Sequence, residues 1–512
     1  MLQNLLRRAT GGFPGGVHPP QQKLTEAAPI QDCPVPPLLI LPVKQHIGEV
    51  CAPLVDVGDR VLRGQMVAKS QGYVSVPVHA STSGTVVKLE EHPVPHPSGL
   101  GRLSIFIEPD GEDAWDESLT PMPDYREQEP SVVRERIRLG GIAGLGGAVF
   151  PSFIKLHDHR NPIDTVILNG VECEPYLTND HRLMLERAEE MIRGMDVIMH
   201  VAGAKQGIIA IEDNKQDAAE AVREALQRID GTEGISVRVL PTRYPQGGEK
   251  QLIQALTGRE VPSGKLPAQV GLLCHNVGTA KAIHDAVVLG RALTERVVTI
   301  SGDAVPNPTN MSVRLGTPMP FLFAQAGLED LEEMRIIHGG PMMGECLPRT
   351  DVPVVKSTNG MLAMKSGSLY SEQAVEQPCI RCAKCVEVCP VGLVPNELAW
   401  HCRNDQFDRG QEYDLFDCIE CGCCSYVCPS HIPLVHYFRY AKGQVAKIEQ
   451  ERAFAEQSKA RSEARDNRLA REQAERAAKR SRVKQQRNKA TDVKPEAVEA
   501  DAPEQEKKGD GE

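Results

Sequence analysis

No apolar run in this chain approaches the roughly 18 residues needed to cross a bilayer. The longest candidates, around Leu38–Val43 and Leu272–Cys274, are strand-sized. A membrane-spanning pump is therefore excluded, and any membrane association is expected to come through a partner. Arg7 and Arg8 are not followed by an apolar core, so the secretory-signal pattern is missing too. Positive charge is in short supply. The 58 Lys and Arg stand against 69 Asp and Glu, and the net charge of −11 argues against non-specific nucleic-acid binding. No Gly-Lys-Ser/Thr closes a glycine-rich loop, which removes the P-loop. The loop at 141–151 has the order G-x-G-G behind a helix, which is not the dinucleotide-binding fingerprint. What remains is a soluble chain of ordinary composition, long enough for three or four domains.

Cysteine, by contrast, is concentrated. Cys379, Cys382, Cys385 and Cys389 form one run of C-x2-C-x2-C-x3-C, and Cys418, Cys421, Cys424 and Cys428 form another, with Pro390 and Pro429 behind them. This is the ligand pattern of a two-cluster ferredoxin, in which the fourth cysteine of each run serves the other cluster. Cys379, Cys382, Cys385 and Cys428 are thus assigned to one 4Fe–4S cluster, and Cys418, Cys421, Cys424 and Cys389 to the second. Zinc also takes thiolate pairs at C-x2-C, but three cysteines at consecutive x2 spacing before a Cys-Pro favour iron–sulfur. Cys423 is a bystander by spacing, with a C-x-C ligand choice as the alternative. The other cysteines are scattered, as in a reducing compartment.

The rest of the chain divides by composition. Residues 1–30, with the Gly/Pro stretch 11–20, read as an extended arm lying over another domain. Residues 31–125 carry short strands, expected at Val57–Gln65, Tyr73–Val78 and Gly84–Val87, in a small barrel-sandwich domain like the lipoyl carriers. The carrier-lysine position falls at Gln71-Gly72, so no covalent cofactor is expected there. Residues 126–290 alternate strand and helix, predicting a Rossmann-like α/β domain. Its elements are a helix over Ser131–Leu139, a strand at Thr165–Leu168, a long helix from Asp180, a strand at Gly207–Ile211 and a helix over Gln216–Ile229. Residues 291–350 suggest a β-grasp module and 351–369 a linker. Residues 370–445 hold the ferredoxin-like helical domain, with a helix at Asn396–Asn404. Residues 446–512 read as a charged helix, to about 487, and then a polar tail that cannot bury a core. The basic stretch Lys479–Lys484 could meet anionic lipid or nucleic acid, but a solvated helix face is the commoner meaning of such a run.

Candidate ligand contacts collect at strand ends, where open α/β sheets bind ligands. The glycine loop Gly141–Pro151 can bring backbone N–H groups to a phosphate, with Lys155 beyond it. Asn169, Glu172 and Glu174 follow the strand at Thr165. Tyr244–Lys250 makes another glycine turn, and His275-Asn276 follows a strand.

In this order, the arm at 11–20, the loop at 140–151, Asn169–Tyr176, Tyr244–Lys250 and the two cysteine runs resemble the C subunit of the Rnf (Rsx) electron-transport complex, over about residues 10–445. The middle domain is similar to the flavoprotein subunit of respiratory complex I. The resemblance implies that Gly144, Gly146, Gly147, Lys155, Asn169, Glu172 and Asn276 hold FMN. It places Phe150 and Glu174 on the NADH side and Tyr244 and Glu249 around the flavin. It further implies a peripheral subunit on the cytoplasmic face of the bacterial inner membrane. There it would pass electrons between NAD(H), FMN, two 4Fe–4S clusters, the membrane and cluster-bearing subunits and a ferredoxin-type carrier. Such complexes move Na+ or H+. The protein would supply binding, orientation and electrostatics, with no nucleophile or general base of its own. Val171, Cys173, Gly248 and His275 depart from the complex I pattern, which touches the NADH contacts most. The alternatives are a cluster-only relay and docking scaffold, and a soluble NADH:ferredoxin oxidoreductase.

Overall fold

A computed structural model describes residues 12–157, 161–365, 367 and 375–491. Residues 1–11 of the expected arm, 366 and 368–374 at the linker-to-cluster junction, and 492–512 of the expected tail lie outside the described residues. The chain forms two compact units, Met1–Ala441 and Lys442–Glu512.

In the first unit, the strands Leu39–Pro42, Gly101–Pro109, Gly84–Pro93 and Arg60–Val61 form an antiparallel sheet in that spatial order. Ala52–Pro53, Met66–Lys69 and Val78–His79 form a second. Leu39, Leu41, Val61, Val67, Val86, Ile105 and Ile107 fill the space between them. The expected strand pair over Val57–Gln65 is displaced. Gly58 and Gly64 take positive φ and force turns, so the strand there is cut to Arg60–Val61, Arg63 makes a single bridge to Trp115, and the next strand begins at Met66. Of Tyr73–Val78 only Val78 lies in a strand, because Pro77 has no N–H to offer a ladder.

The α/β domain holds four parallel strands: Thr165–Gly170, Gln206–Glu212, Ile235–Leu240 and Leu272–Asn276. Numbered along the chain, they lie in the order 3-2-1-4. The direction of winding therefore reverses between the first and fourth, and such a switch point opens a crevice at the strands' carboxyl ends. The long helix expected from Asp180 is two helices, Asn179–Glu186 and Ala188–Ala202. Arg187 leaves helical geometry where the Glu186 carboxylate turns to accept the Ile30 N–H at 3.0 Å. Gly194 packs the second of these against the helix Val277–Val287 so closely that a Cβ would lie 1.8 Å from the Ala280 carbonyl oxygen.

The third module is a six-stranded mixed sheet in the order Ile30–Asp32, Thr309–Arg314, Glu295–Ser301, Gly360–Met364, Arg335–His338, Glu345–Cys346. It corrects two expectations. Ile30–Asp32, placed at the junction of arm and barrel, is its edge strand, parallel to Asn310–Ser312. The expected linker 351–369 contains the fully buried strand Gly360–Met364 in its interior. Gly-Met-Leu-Ala-Met is a short apolar run whose polar flanks, Lys356–Asn359 and Lys365–Ser368, mask it.

Lys356 pins these modules together. Its ammonium is fully buried and donates to the Pro77 carbonyl at 2.9 Å and the Gly141 carbonyl at 2.7 Å. Burial pulls it down from the usual 10.5 to about 8. The charged form is thus disfavoured in the folded state, so stability rises as pH climbs from about 8 toward 10.5. Thermal melts should show wild type gaining up to about 3 kcal/mol on Lys356→Met across that window. A gap that stays constant with pH would show that the ammonium is not enclosed.

The cluster domain packs short helices, including Pro395–Arg403 where Asn396–Asn404 was expected, around Leu398, Cys402, Leu415 and Phe438. Its last helix, Leu434–Thr491, starts ahead of the expected tail boundary. In the second unit that helix is exposed on all sides from Glu449 to Lys489.

Candidate functional site

A cleft of about 380 Å³ opens at the switch point between the first and fourth strands of the α/β domain. Seven of the eleven residues expected to hold flavin and nicotinamide line it: Gly146, Asn169, Glu172, Glu174, Tyr244, Glu249 and Asn276. Lys155 stands beside it, donating to Glu249 Oε2 at 2.7 Å and to the Cys274 carbonyl at 3.2 Å. Gly144, Gly147 and Phe150 do not line the cleft. They shape its loop: the Gly144 N–H donates to the Phe150 carbonyl at 2.9 Å, Ala143 bridges Pro151, and Gly146–Ala148 stand exposed at the tip. Gly147 has φ +102° and open space where a Cβ would be, so backbone conformation alone explains it. A Cβ on Gly146 would sit 3.3 Å from the Asn276 side chain.

The helix Glu249–Thr257 starts at the cleft, with Gly248 as its N-cap. The N–H groups of its first turn, at Glu249, Lys250 and Gln251, belong to cleft-lining residues, and a helix start of this kind suits an anion. Several expected contact groups are already engaged. Asn169 Nδ2 donates to the Gly247 carbonyl at 2.8 Å. Asn276 Oδ1 accepts the Gly278 N–H at 2.8 Å, and its Nδ2 donates to Asp180 Oδ2 at 2.6 Å. The Glu172 carboxylate accepts the N–H groups of Asp180 and His181, capping their helix. Glu174, pushed up to about 7 by burial, accepts the Met342 and Met343 N–H groups and so ties the six-stranded module to the cleft. His275, expected to form a polar pair with Asn276, points away from the cleft, as alternation along a strand requires. It is buried, and its charged form is suppressed to about 3.

Sequence reasoning missed Asp180, whose carboxyl is pushed upward by burial and by Glu172 beside it. It also missed Asn179, Gln251, Met343, Asn359 and Ile419 in the lining. Two lysines behind the cleft were invisible as well. Lys23, from the arm, donates to the carbonyls of Glu172, Glu174 and Leu177 at 2.9, 2.8 and 2.7 Å, using all three protons on one loop. Lys215, buried with Glu212 at 2.7 Å, reaches the same Glu172 carbonyl at 3.5 Å. Lys23→Met should weaken FMN binding by about tenfold to a hundredfold through loss of loop order, read by quenching of flavin fluorescence. Unchanged affinity would show that the loop holds without it.

The cysteines converge crosswise. Cys379, Cys382, Cys385 and Cys428 line one small cavity with Pro429 and Asn396. The Cys424 thiol is pushed up by burial and by Cys421, Cys418 and Cys389 around it. Both sets have the chemistry of four-thiolate cluster sites. The second set abuts the cleft. Tyr244, 1% exposed, donates its hydroxyl to the Cys421 carbonyl at 2.7 Å. The arm straps the two sides together: Val17 exchanges backbone hydrogen bonds with Tyr244, and the Gly16 N–H donates to the Val388 carbonyl at 2.8 Å. Cys423 is fully buried in the same apolar cluster as Val17, Cys173, Tyr244 and Cys421.

A cleft with a helix start at a sheet switch point, joined to paired four-cysteine sites, defines an electron-transfer protein of the flavin and iron–sulfur class. Family profiles agree: residues 137–285 match one described as the Nuo51 FMN-binding domain, 11–112 the RnfC barrel sandwich hybrid domain, and 378–433 a 4Fe–4S dicluster domain. The C subunit of the ion-translocating oxidoreductase complex of Yersinia pseudotuberculosis serotype O:3 (strain YPIII) is 45% identical over 489 residues, 95% of this chain and 69% of that protein. The C subunits of the same name from Yersinia pestis bv. Antiqua (strain Antiqua) and Serratia proteamaculans (strain 568) are equally identical over 95% of this chain, and 77% and 68% of their own lengths. The chain belongs to this family of C subunits. A solved NAD+-reducing NiFe-hydrogenase in the H2-reduced state is a distant likeness: TM-score 0.45, 17% identity, 64% of this chain and 65% of that one.

Proposed function

We propose that the chain is the NAD(H)-facing subunit of an ion-translocating oxidoreductase complex, peripheral at the cytoplasmic face of the inner membrane. Its partners would be the membrane and cluster-bearing subunits and a ferredoxin-type carrier. The observation that carries this reading is the contact between cleft and cluster site, Tyr244 Oη to the Cys421 carbonyl. FMN suits the cleft, with Gly146, Asn169, Glu172 and Asn276 as its holders and Lys155 beside it, Glu174 toward the nicotinamide, and Gly144, Gly147 and Phe150 acting only through the shape of the glycine loop. Bound flavin exchanges electrons in pairs with a nicotinamide and singly with iron–sulfur clusters. The chain's own residues bind and orient. The first-turn N–H groups of the helix at Glu249 point positive character toward the cleft, and the Lys155 ammonium offsets the Glu249 carboxylate beside them. Lys23 and Lys215 stiffen the loop that carries Glu172 and Glu174. The eight cysteines hold two 4Fe–4S clusters, one of them against the cleft.

The internal hydrogen bonds of Asn169, Glu172 and Asn276 favour the second reading, a cluster-only relay and scaffold. An anaerobic NADH titration of the cluster-reconstituted, FMN-supplemented protein separates the two. The first reading expects flavin and cluster absorbance to bleach together. Flavin that binds but stays oxidised would leave the relay.

A further inference from the structure

The segment 446–475 carries seven cations and seven carboxylates, a neutral mixture. From Arg476 to Lys489 there are seven cations and no carboxylate, in a chain whose net charge is −11. The structure places this block on the exposed helix Leu434–Thr491. Arg476, Lys479, Arg480, Lys484 and Arg487 recur at intervals of three and four, so they share one face, with Val483, 57% exposed, among them. Only Arg482 and Lys489 point elsewhere. Arg476 with Arg480, and Arg480 with Lys484, stand one turn apart, and like charges at that spacing oppose the helix they sit on. The helix dipole rewards cations only in the last turn. A polyanion laid along this face would relieve that repulsion.

We propose that this face docks on an anionic lipid surface. The inference rests on the membrane-complex reading above and adds how a chain with no helix long and apolar enough to span a bilayer, among its described residues, meets the membrane. A row of five cations around one apolar side chain matches a layer of acidic headgroups. Nucleic acid is the poorer occupant: the chain is acidic overall, and no aromatic residue occurs after Phe454 to stack on bases. Residues 492–512, with eight carboxylates against three cations, are the competing occupant from within the chain.

The test is flotation of the full-length, cluster-loaded protein with vesicles of phosphatidylethanolamine and phosphatidylglycerol, and with vesicles of phosphatidylcholine alone. The expected result is binding to the first and not the second, abolished by salt. A variant with R476Q, K479Q, R480Q and K484Q should bind about a thousandfold more weakly, while circular dichroism and NADH-driven flavin bleaching stay as in wild type. Three outcomes would overturn the proposal: equal binding to both vesicles, full binding by the four-fold variant, or no vesicle binding by the wild type. Preference for duplex DNA or single-stranded RNA over the anionic vesicles would do so too. Vesicle binding and flavin bleaching are read separately, so a chain that floats but does not oxidise NADH sinks the electron-transfer reading and leaves the lipid surface standing.

Discussion

Cys428→Ala should empty the cluster site of Cys379, Cys382 and Cys385, not that of its own run, and Cys389→Ala should do the converse. The convergence of Cys428 with the first run in one cavity gives the first half of this result. The second half follows from the Cys424 thiol, which has Cys389 as a neighbour together with Cys421 and Cys418. Low-temperature EPR of each dithionite-reduced variant, with iron analysis, would show one cluster lost and one kept. The two variants differ in consequence. Cys379 and Cys382 are exposed, whereas Cys389, Cys421 and Cys424 are buried, and Cys421 is the residue joined to Tyr244. Cys389→Ala should therefore stop electrons at the flavin, with NADH bleaching the flavin band and no cluster band. Cys428→Ala should still allow the buried cluster to be reduced. Loss of both clusters in either variant, with the fold intact, would refute independent sites.

What the sequence made legible was local. Each cysteine run is a fixed spacing within eleven residues. The strand ends at Asn169 and Asn276 are marked by an apolar run that stops at a polar residue, and that pattern survives in the structure as the cleft. The residues that went unseen act over long separations. Lys23 meets the loop at Glu172 across 149 residues of chain, and no local period encodes such a meeting. Asp180 looked like an ordinary helix start, and only the approach of Asn276 gives it a place in the site. Gly360–Met364 was hidden for a different reason. A buried strand inside a mixed sheet needs no alternation, so five apolar residues between polar flanks read as linker. His275 shows the limit of motif logic: its neighbour faces the cleft, and the period of two turns it inward.

The arm is where sequence and site meet most directly, and Gly15→Val is expected to uncouple the two halves of the molecule. Gly15 has φ +65°, and a Cβ there would lie 2.4 Å from the Val388 carbonyl carbon and oxygen and 2.6 Å from the Cys389 carbonyl carbon. Backbone atoms cannot swing aside as a flexible side chain can, so either the arm or the cluster loop must move. On the arm's other side, Val17 is locked to Tyr244 by two backbone hydrogen bonds of 2.8 and 3.0 Å, and the Arg243 guanidinium lies 4.6 Å from the centre of the Phe13 ring. The loop bearing Cys389 is held against Tyr244 partly through this strap, so displacing it widens the gap between cleft and buried cluster. Rapid-mixing kinetics with NADH should then show a flavin phase at the wild-type rate and a cluster phase slowed by about tenfold or more, a scale set by the cost of ångström-level misplacement of reacting groups. Gly12→Ala is the control, because nothing lies within 4 Å of its Cβ position, and both phases should match wild type. If Gly15→Val also left both phases unchanged, with clusters fully loaded, the arm would be a passive cover, and the Tyr244–Cys421 hydrogen bond alone would hold the two sides in place.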